Sequence, residues 1–238
     1  MSGLRERKRQ RTYRAVSDTA VALFLDRGFD AVSVAEVAAA ADISKPTLFR
    51  YFPAKEDLVL HRFADHEDEA ARVVRASLDG DGRRAGDGRG AGDGQGGGGG
   101  VPVAVRALHA HFRAGLDRRD PVTGLNDSAE VLAFHRLLYD TPSLVARLHA
   151  YTHRSERALA LALDGVTAGH GPDAEGGADP SLRARLAAAQ IVAVQRVLAE
   201  ANWRRMAAGE TADAVYPEAV REAADGFAGL GASTGPQG

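Results

Sequence analysis

The chain contains no cysteine among its 238 residues. That excludes a disulfide framework, a thiolate metal site and a cysteine nucleophile, and it fits a reducing cytoplasm. Aromatic residues are scarce at 6%, although apolar residues together make up 45%. Alanine accounts for much of that difference. Alanine and leucine have high helix propensities, and runs of β-branched residues are few, so the composition reads as all-helical with a sizeable core. No stretch reaches the roughly 18–20 apolar residues that a bilayer-spanning helix needs. The basic N-terminus is not followed by the apolar segment of a secretory signal. A soluble, cytoplasmic protein with no membrane partner is expected. Phosphate-binding glycine loops, nucleophile elbows and H-E-x-x-H motifs are all missing, so neither an enzyme nor a cofactor is expected.

What is present is unevenly distributed. The net charge is only −2, but residues 1–14 hold Arg5, Arg7, Lys8, Arg9, Arg11 and Arg14 against the single acid Glu6. Such an arm is attracted to phosphates and releases counterions on contact, or it is a solvated tail. Of the eight histidines, His149 and His153 share a helix face, whereas His109 and His111 do not. With no acidic or cysteine partner placed beside them, no metal site is expected.

A first helix is expected from about Arg11 to Arg27, with Tyr13, Val16, Ala20, Leu23 and Phe24 at helical spacing. Gly28 stands where a left-handed residue ends a helix. Ser33 and Glu36 form an S-x-x-E capping box for the second helix, with Val32 and Val37 at the staple positions. Asp42 breaks the alanine run Ala38–Ala41, and aspartate tolerates the left-handed region. Ser44 then caps a short third helix with Pro46 in its first turn. Phe52-Pro53 closes it. Val34, Val37, Ala38, Ile43, Leu48 and Phe52 supply inward contacts. Helices joined by a turn of roughly four residues make a helix-turn-helix. A fourth helix is expected from Ala54 to Leu78.

Glycine fills 12 of the 21 positions from Gly80 to Gly100. This tract cannot bury a core and reads as a flexible linker; an RG-type nucleic-acid tract is the other reading. Further helices are expected over 102–116, 128–139 (with Asp127 and Glu130 as a capping pair), 142–164, about 180–206 and 217–230, with a Gly/Pro/Asp loop over 165–179. Leu186 to Ala201 is apolar on most sides, so it should be buried. A subunit interface built from the last two helices would do this.

The stretch Val32–Leu58, VSVAEVAAAADISKPTLFRYFPAKEDL, resembles the TetR family of transcriptional regulators closely, element by element and without gaps. Two positions depart from the family pattern: Asp42 replaces its turn glycine, and Pro46 the glycine of its recognition helix. The resemblance implies an all-α fold with an N-terminal three-helix helix-turn-helix DNA-binding domain and a C-terminal helical ligand-binding and dimerisation domain. The partition expected is a basic arm and DNA-binding domain over 1–54, a connecting helix over 55–78, the Gly-rich linker over 79–101, the helical domain over 102–230 and a disordered tail over 231–238. The partners implied are double-stranded operator DNA, a second copy through the last two helices, and an unidentified small-molecule effector. The chain would then be a ligand-responsive repressor; a ligand-independent or architectural DNA-binding protein is the alternative.

A recognition helix enters the major groove. There Lys45 and Arg50 can donate to guanine, and Thr47 can meet a base edge, a thymine methyl or a phosphate. The resemblance implies phosphate contacts at Tyr51, Lys55 and Ser33 or Thr47. Helix N-termini at Ser33 and Ser44 offer further N–H groups. With Val34, Pro46 and Phe49 these residues make up the expected DNA-binding surface. Effector contacts are expected among His109, Phe112, Phe134, His135, Tyr139, Tyr151 and Trp203, which combine apolar bulk with polar tips, although ordinary core packing would use the same residues.

Overall fold

The computed structural model describes residues 2–86, 100–167 and 179–232. Among these there are ten α-helices, two 3₁₀-helices and no strand. The chain divides into two compact units: Met1–Asp65 with Ser128–Tyr151, and His66–Asp127 with Thr152–Gly238.

The first unit begins with α1 (Ser2–Arg27), which runs nine residues further towards the N-terminus than expected. Helix nucleation is the unfavourable step. Once Val16, Ala20, Val21 and Phe24 are buried, the Arg/Glu/Lys-rich arm need only propagate the helix, and it contains no proline. Gly28 ends α1 at φ +89° as expected. Helices α2 (Val34–Ala40) and α3 (Lys45–Tyr51) follow.

The continuous fourth helix expected over 55–78 is instead in pieces. Helix α4 (Lys55–Leu60) passes into a 3₁₀ segment, His61–His66, before α5 (Glu69–Gly86). Leu58, Val59 and Leu60 are all buried, and the Ser17 hydroxyl donates to the Leu58 carbonyl at 2.7 Å. That carbonyl therefore has a partner outside its own helix, at the place where the regular ladder gives way.

The first unit also contains α7 (Ala129–Asp140) and the opening residues of α8 (Pro142–Thr167). Phe134, Leu138 and Leu144 share one core with Phe24, Leu48, Phe52 and Leu58. The expected boundaries at 54 and 102 therefore do not coincide with the compact units. The N-terminal helices share their apolar core with residues 128–151, which complete its cover.

The second unit contains α5, α6 (Gly100–Asp117), the later part of α8, α9 (Leu182–Ala207) and α10 (Ala212–Ala232). Helix α6 packs against both α5 and α10, and α10 packs on α9. The linker expected over 79–101 is helical up to Gly86 and again from Gly100; residues 87–99 lie outside the described residues. The same holds for 168–178 of the expected loop and 233–238 of the expected tail. Helix α10 starts at Ala212 rather than Pro217, because its first turn is capped from a distance. Asp127, expected to cap α7, instead accepts the Ala212 N–H at 2.9 Å. Thr211 accepts from Ala214. Pro217 then occupies an exposed position inside the helix.

In the second unit, a short 3₁₀ turn, Pro121–Thr123, brings Gly124 close against the backbone of α9. Gly124 has φ +73°, and a Cβ there would stand 1.9 Å from the Ala199 carbonyl oxygen of α9. The buried Asn202 side chain donates to the Thr123 carbonyl at 2.9 Å and holds the turn down. Gly124→Ala should therefore combine left-handed strain with a backbone clash, lowering stability by roughly 2–4 kcal/mol in urea unfolding of the full chain.

Candidate nucleic-acid interface

The capping box forms as the sequence dictates. The Glu36 N–H donates to Ser33 Oγ at 3.2 Å, and the Ser33 N–H donates to Glu36 Oε2 at 2.8 Å. Arg27 binds the other carboxylate oxygen at 2.7 Å. Together the Ser33 backbone first, and then Arg27, hold the exposed Glu36 carboxyl down to about 2. Both staple residues, Val32 and Val37, are fully buried, and Val34 packs partly against the same core.

Asp42 takes φ 52°, and Ile43 N–H closes the turn on Ala38 at 3.0 Å. Ser44 caps α3 by accepting the Thr47 N–H at 3.2 Å, and the two hydroxyls lie 2.8 Å apart. Leu48 is the buried anchor of α3, whereas Ser44, Lys45, Pro46, Phe49 and Arg50 are exposed. Tyr51 turns back, edge-on to Tyr13 at 4.8 Å. Lys45 Nζ lies 5.9 Å from the Phe49 ring centroid, and the Arg50 guanidinium 5.6 Å from that of Tyr51. Each cation thus lies near an aromatic ring, Lys45 near the exposed Phe49 and Arg50 near the inward-turned Tyr51.

Lys55, one of the expected phosphate contacts, has partners within the protein as well. Its ammonium donates to the Phe29 carbonyl and lies 4.2 Å from the Phe29 ring centroid. It ties the start of α4 to the turn after α1.

Two arginines of this unit were not visible as partners in the sequence. Arg147 of α8 donates to both Asp57 oxygens, at 2.7 and 2.9 Å. Asp57 also accepts the Ala54 N–H at 3.0 Å, so the same carboxylate caps α4. Arg62 reaches Asp18 at 3.3 Å and Glu130 at 3.7 Å, with its guanidinium 5.1 Å from the Phe134 ring centroid. Ninety residues separate Asp57 from Arg147, and no local pattern links them.

The seven expected effector residues fall into two groups. Phe134, His135, Tyr139 and Tyr151 belong to the first unit, and His109, Phe112 and Trp203 to the second. In the first, Phe63 lies between Phe134 at 5.8 Å and Tyr151 at 6.1 Å. The Tyr151 hydroxyl donates to the Phe63 carbonyl. His135 contacts Phe134 and Tyr139. In the second, His109 stacks on Phe227 at 5.3 Å and Phe112 lies 6.0 Å from the same ring. A groove of about 350 Å³ between α8 and α9 is lined by none of the seven, but by residues including Arg157, Asp179, Leu182 and Leu186.

His66 and His111 both meet Glu69, at 2.6 and 3.2 Å. His111 first and then His66 hold that carboxyl well below the usual carboxylate range. Among the described residues no group of three His, Asp or Glu side chains has the geometry to hold a metal ion.

His135 is 5% exposed, and burial pushes its imidazole from 6.5 down to about 4. In the unfolded chain it takes up a proton near pH 6.5, and in the fold only near 4. Its contribution to stability is therefore full above pH 6.5 and is lost as pH falls through that window, on the order of 3 kcal/mol in all. Urea unfolding across this pH range should show the wild-type protein losing more stability than His135→Leu. For the ion pair, a double-mutant cycle of Asp57→Asn and Arg147→Met should return a coupling of about 1–2 kcal/mol.

The sequence is similar to those of known transcriptional regulators. The family model described as bacterial regulatory proteins of the tetR family matches residues 16–61, from within α1 to just past α4. The HTH-type transcriptional regulator TcmR of Streptomyces glaucescens is 30% identical over 202 residues, which cover 84% of this chain and 76% of that protein. The HTH-type transcriptional regulator YuxN of Bacillus subtilis is 34% identical over 70 residues, covering 29% of this chain and 24% of YuxN. Among solved structures, GusR of Salmonella enterica aligns over 94% of this chain and 95% of its own, with a TM-score of 0.45 and 18% identity. No helix among the described residues is long and apolar enough to cross a membrane. The length of the TcmR match and the family match over the helix-turn-helix lead to one conclusion: the chain belongs to the TetR family of DNA-binding transcriptional regulators, which are not enzymes.

Proposed function

We propose that the protein is a ligand-responsive repressor that occupies a palindromic operator as a homodimer and leaves it when a small molecule binds. The observation that carries the DNA-binding part is the outward face of α3. There Lys45, Phe49 and Arg50 stand exposed while Leu48 is fully buried. A recognition helix needs this arrangement, with one face locked in a core and the other free to meet base edges.

Support for the dimer comes from α9. It buries Ala184, Ala187, Ala188, Ile191 and Leu198, yet leaves Leu182, Leu186 and Val197 exposed at 69%, 55% and 54%. Three large aliphatic side chains on one helix are a substantial apolar surface, and a second copy using the same surface would cover it as an isologous contact. Two half-sites about one helical turn apart would then be read together.

The effector is assigned to the aromatic and histidine groups described above. The cluster around Phe134 shares a core with Leu48, so a ligand entering it would disturb the support of α3 itself. The cluster around Phe227 would act from the second unit. Either way, release requires that the ligand bind one conformation of the protein better than the other.

The test is a salt-controlled binding assay on fragments upstream of the gene, with unrelated DNA as competitor. A tight complex of two protomers on one palindromic fragment is the expected result. Binding that tracks only salt and fragment length would overturn the repressor reading and leave an architectural protein. Leu182→Glu/Leu186→Glu should convert a dimer to a monomer in light scattering and weaken operator binding at least ~100-fold. Arg50→Ala should change sequence preference, losing about 1–3 kcal/mol at one base pair per half-site.

A further inference from the structure

We infer that part of each operator half-site is read through thymine 5-methyl groups, by Phe49 and Pro46, with Arg50 beside them reading guanine. This rests on α3 being the recognition helix. It goes further by naming the base feature that the helix recognises.

The rotation of α3 is fixed, because Leu48 is completely buried. At about 100° per residue, Pro46 and Arg50 each lie about 160° from Leu48, and Phe49 about 100°. The side of the helix furthest from the core is therefore shared by Pro46 and Arg50, with Phe49 on the other side of Pro46. Two of these three carry no hydrogen-bond donor or acceptor in the side chain.

The hydroxyls nearby serve the helix cap in part: Ser44 Oγ takes the Thr47 N–H, and the Thr47 hydroxyl lies 2.8 Å from it, so one O–H of the pair is used between them. The cations on this face are Lys45 and Arg50. Phe49 is 42% exposed, beside Lys45, so the ring sits where cations would draw in a polyanion. A single exposed apolar side chain is ordinary on a protein surface. A phenylalanine and a proline side by side on the outermost face of a helix-turn-helix reader, between two cations, form an apolar surface aimed at DNA.

Within the major groove the thymine methyl is the apolar feature among the base edges, and guanine presents the paired acceptors that suit arginine. An apolar pair next to one arginine therefore matches a half-site with thymine adjacent to guanine. Phe49 set against sugar carbons, or against another protein, would carry no such base preference.

The experiment uses the full-length protein and a random duplex pool. Sequences enriched by binding are remade with deoxyuridine in place of every thymidine, which removes the methyl and leaves the pairing unchanged. Uracil duplexes should bind the wild-type protein about fourfold more weakly per lost contact, and about fifteenfold for one contact in each half-site of a dimer. The variant P46A/F49A, altered only at exposed positions, should bind thymine and uracil duplexes equally well. Equal binding of both duplexes by the wild-type protein, or discrimination that persists in P46A/F49A, would overturn the inference while leaving DNA recognition intact. Failure of the pool to enrich any sequence would instead remove the reading of α3 on which the inference stands.

Discussion

Burial of one leucine governs the DNA-facing half of this protein. Helix α3 has seven residues, well below the length at which a helix holds together in water. Its existence and its rotation both come from Leu48, which is inaccessible to solvent and packed in a core with Phe24, Phe52 and Leu58. Everything outward on α3 is positioned by that inward contact. The caps at Ser33 and Ser44 set where α2 and α3 begin, and the core sets where they point.

Around that anchor, charged groups serve the scaffold as much as the surface. Lys55 directs its ammonium at the Phe29 carbonyl and the adjacent ring. Asp57 satisfies the first orphan N–H of α4 and receives the two prongs of Arg147. Arg62 lies between two carboxylates. These partly exposed pairs are each modest in energy. Their arrangement matters more, because they converge on the short stretch that follows the recognition helix and tie it to α1, α7 and α8.

The features legible in the sequence were those in which cause and effect lie within four or five residues. Ser33 with Glu36, Ser44 with Pro46, Asp42 in the turn and Phe52 before Pro53 each carry their own local chemistry, and each formed as read. The readings that missed involve distant partners. Asp127 looked like the cap of the helix beside it and instead caps α10, whose first turn is 85 residues away. The break after Leu60 has no proline or glycine to mark it in the sequence, and Ser17, forty-one residues before Leu58, binds a carbonyl just ahead of it. For Lys55 the motif fixes type and position, while the carbonyl and ring near its ammonium belong to Phe29, twenty-six residues earlier, and no motif shows them. The outward surface of α3 was visible as a list of residues. Which of them faced furthest from the core required knowing that Leu48 was its fixed point.

The division of the chain has a practical side. Residues 128–151 contribute Phe134, Leu138 and Leu144 to the core that supports α3, although they lie far along the sequence from the helix-turn-helix. A reader head cut out at residue 65 would leave those partners behind and present bare Leu48, Leu58 and Phe52 neighbours to water. Chimeric regulators, in which one protein's DNA-reading segment is spliced onto another's sensing region, treat such heads as detachable cassettes. Here the cassette is discontinuous: a working graft has to carry the α7 and early α8 segment along with the N-terminal helices, or redesign the surface that this segment covers.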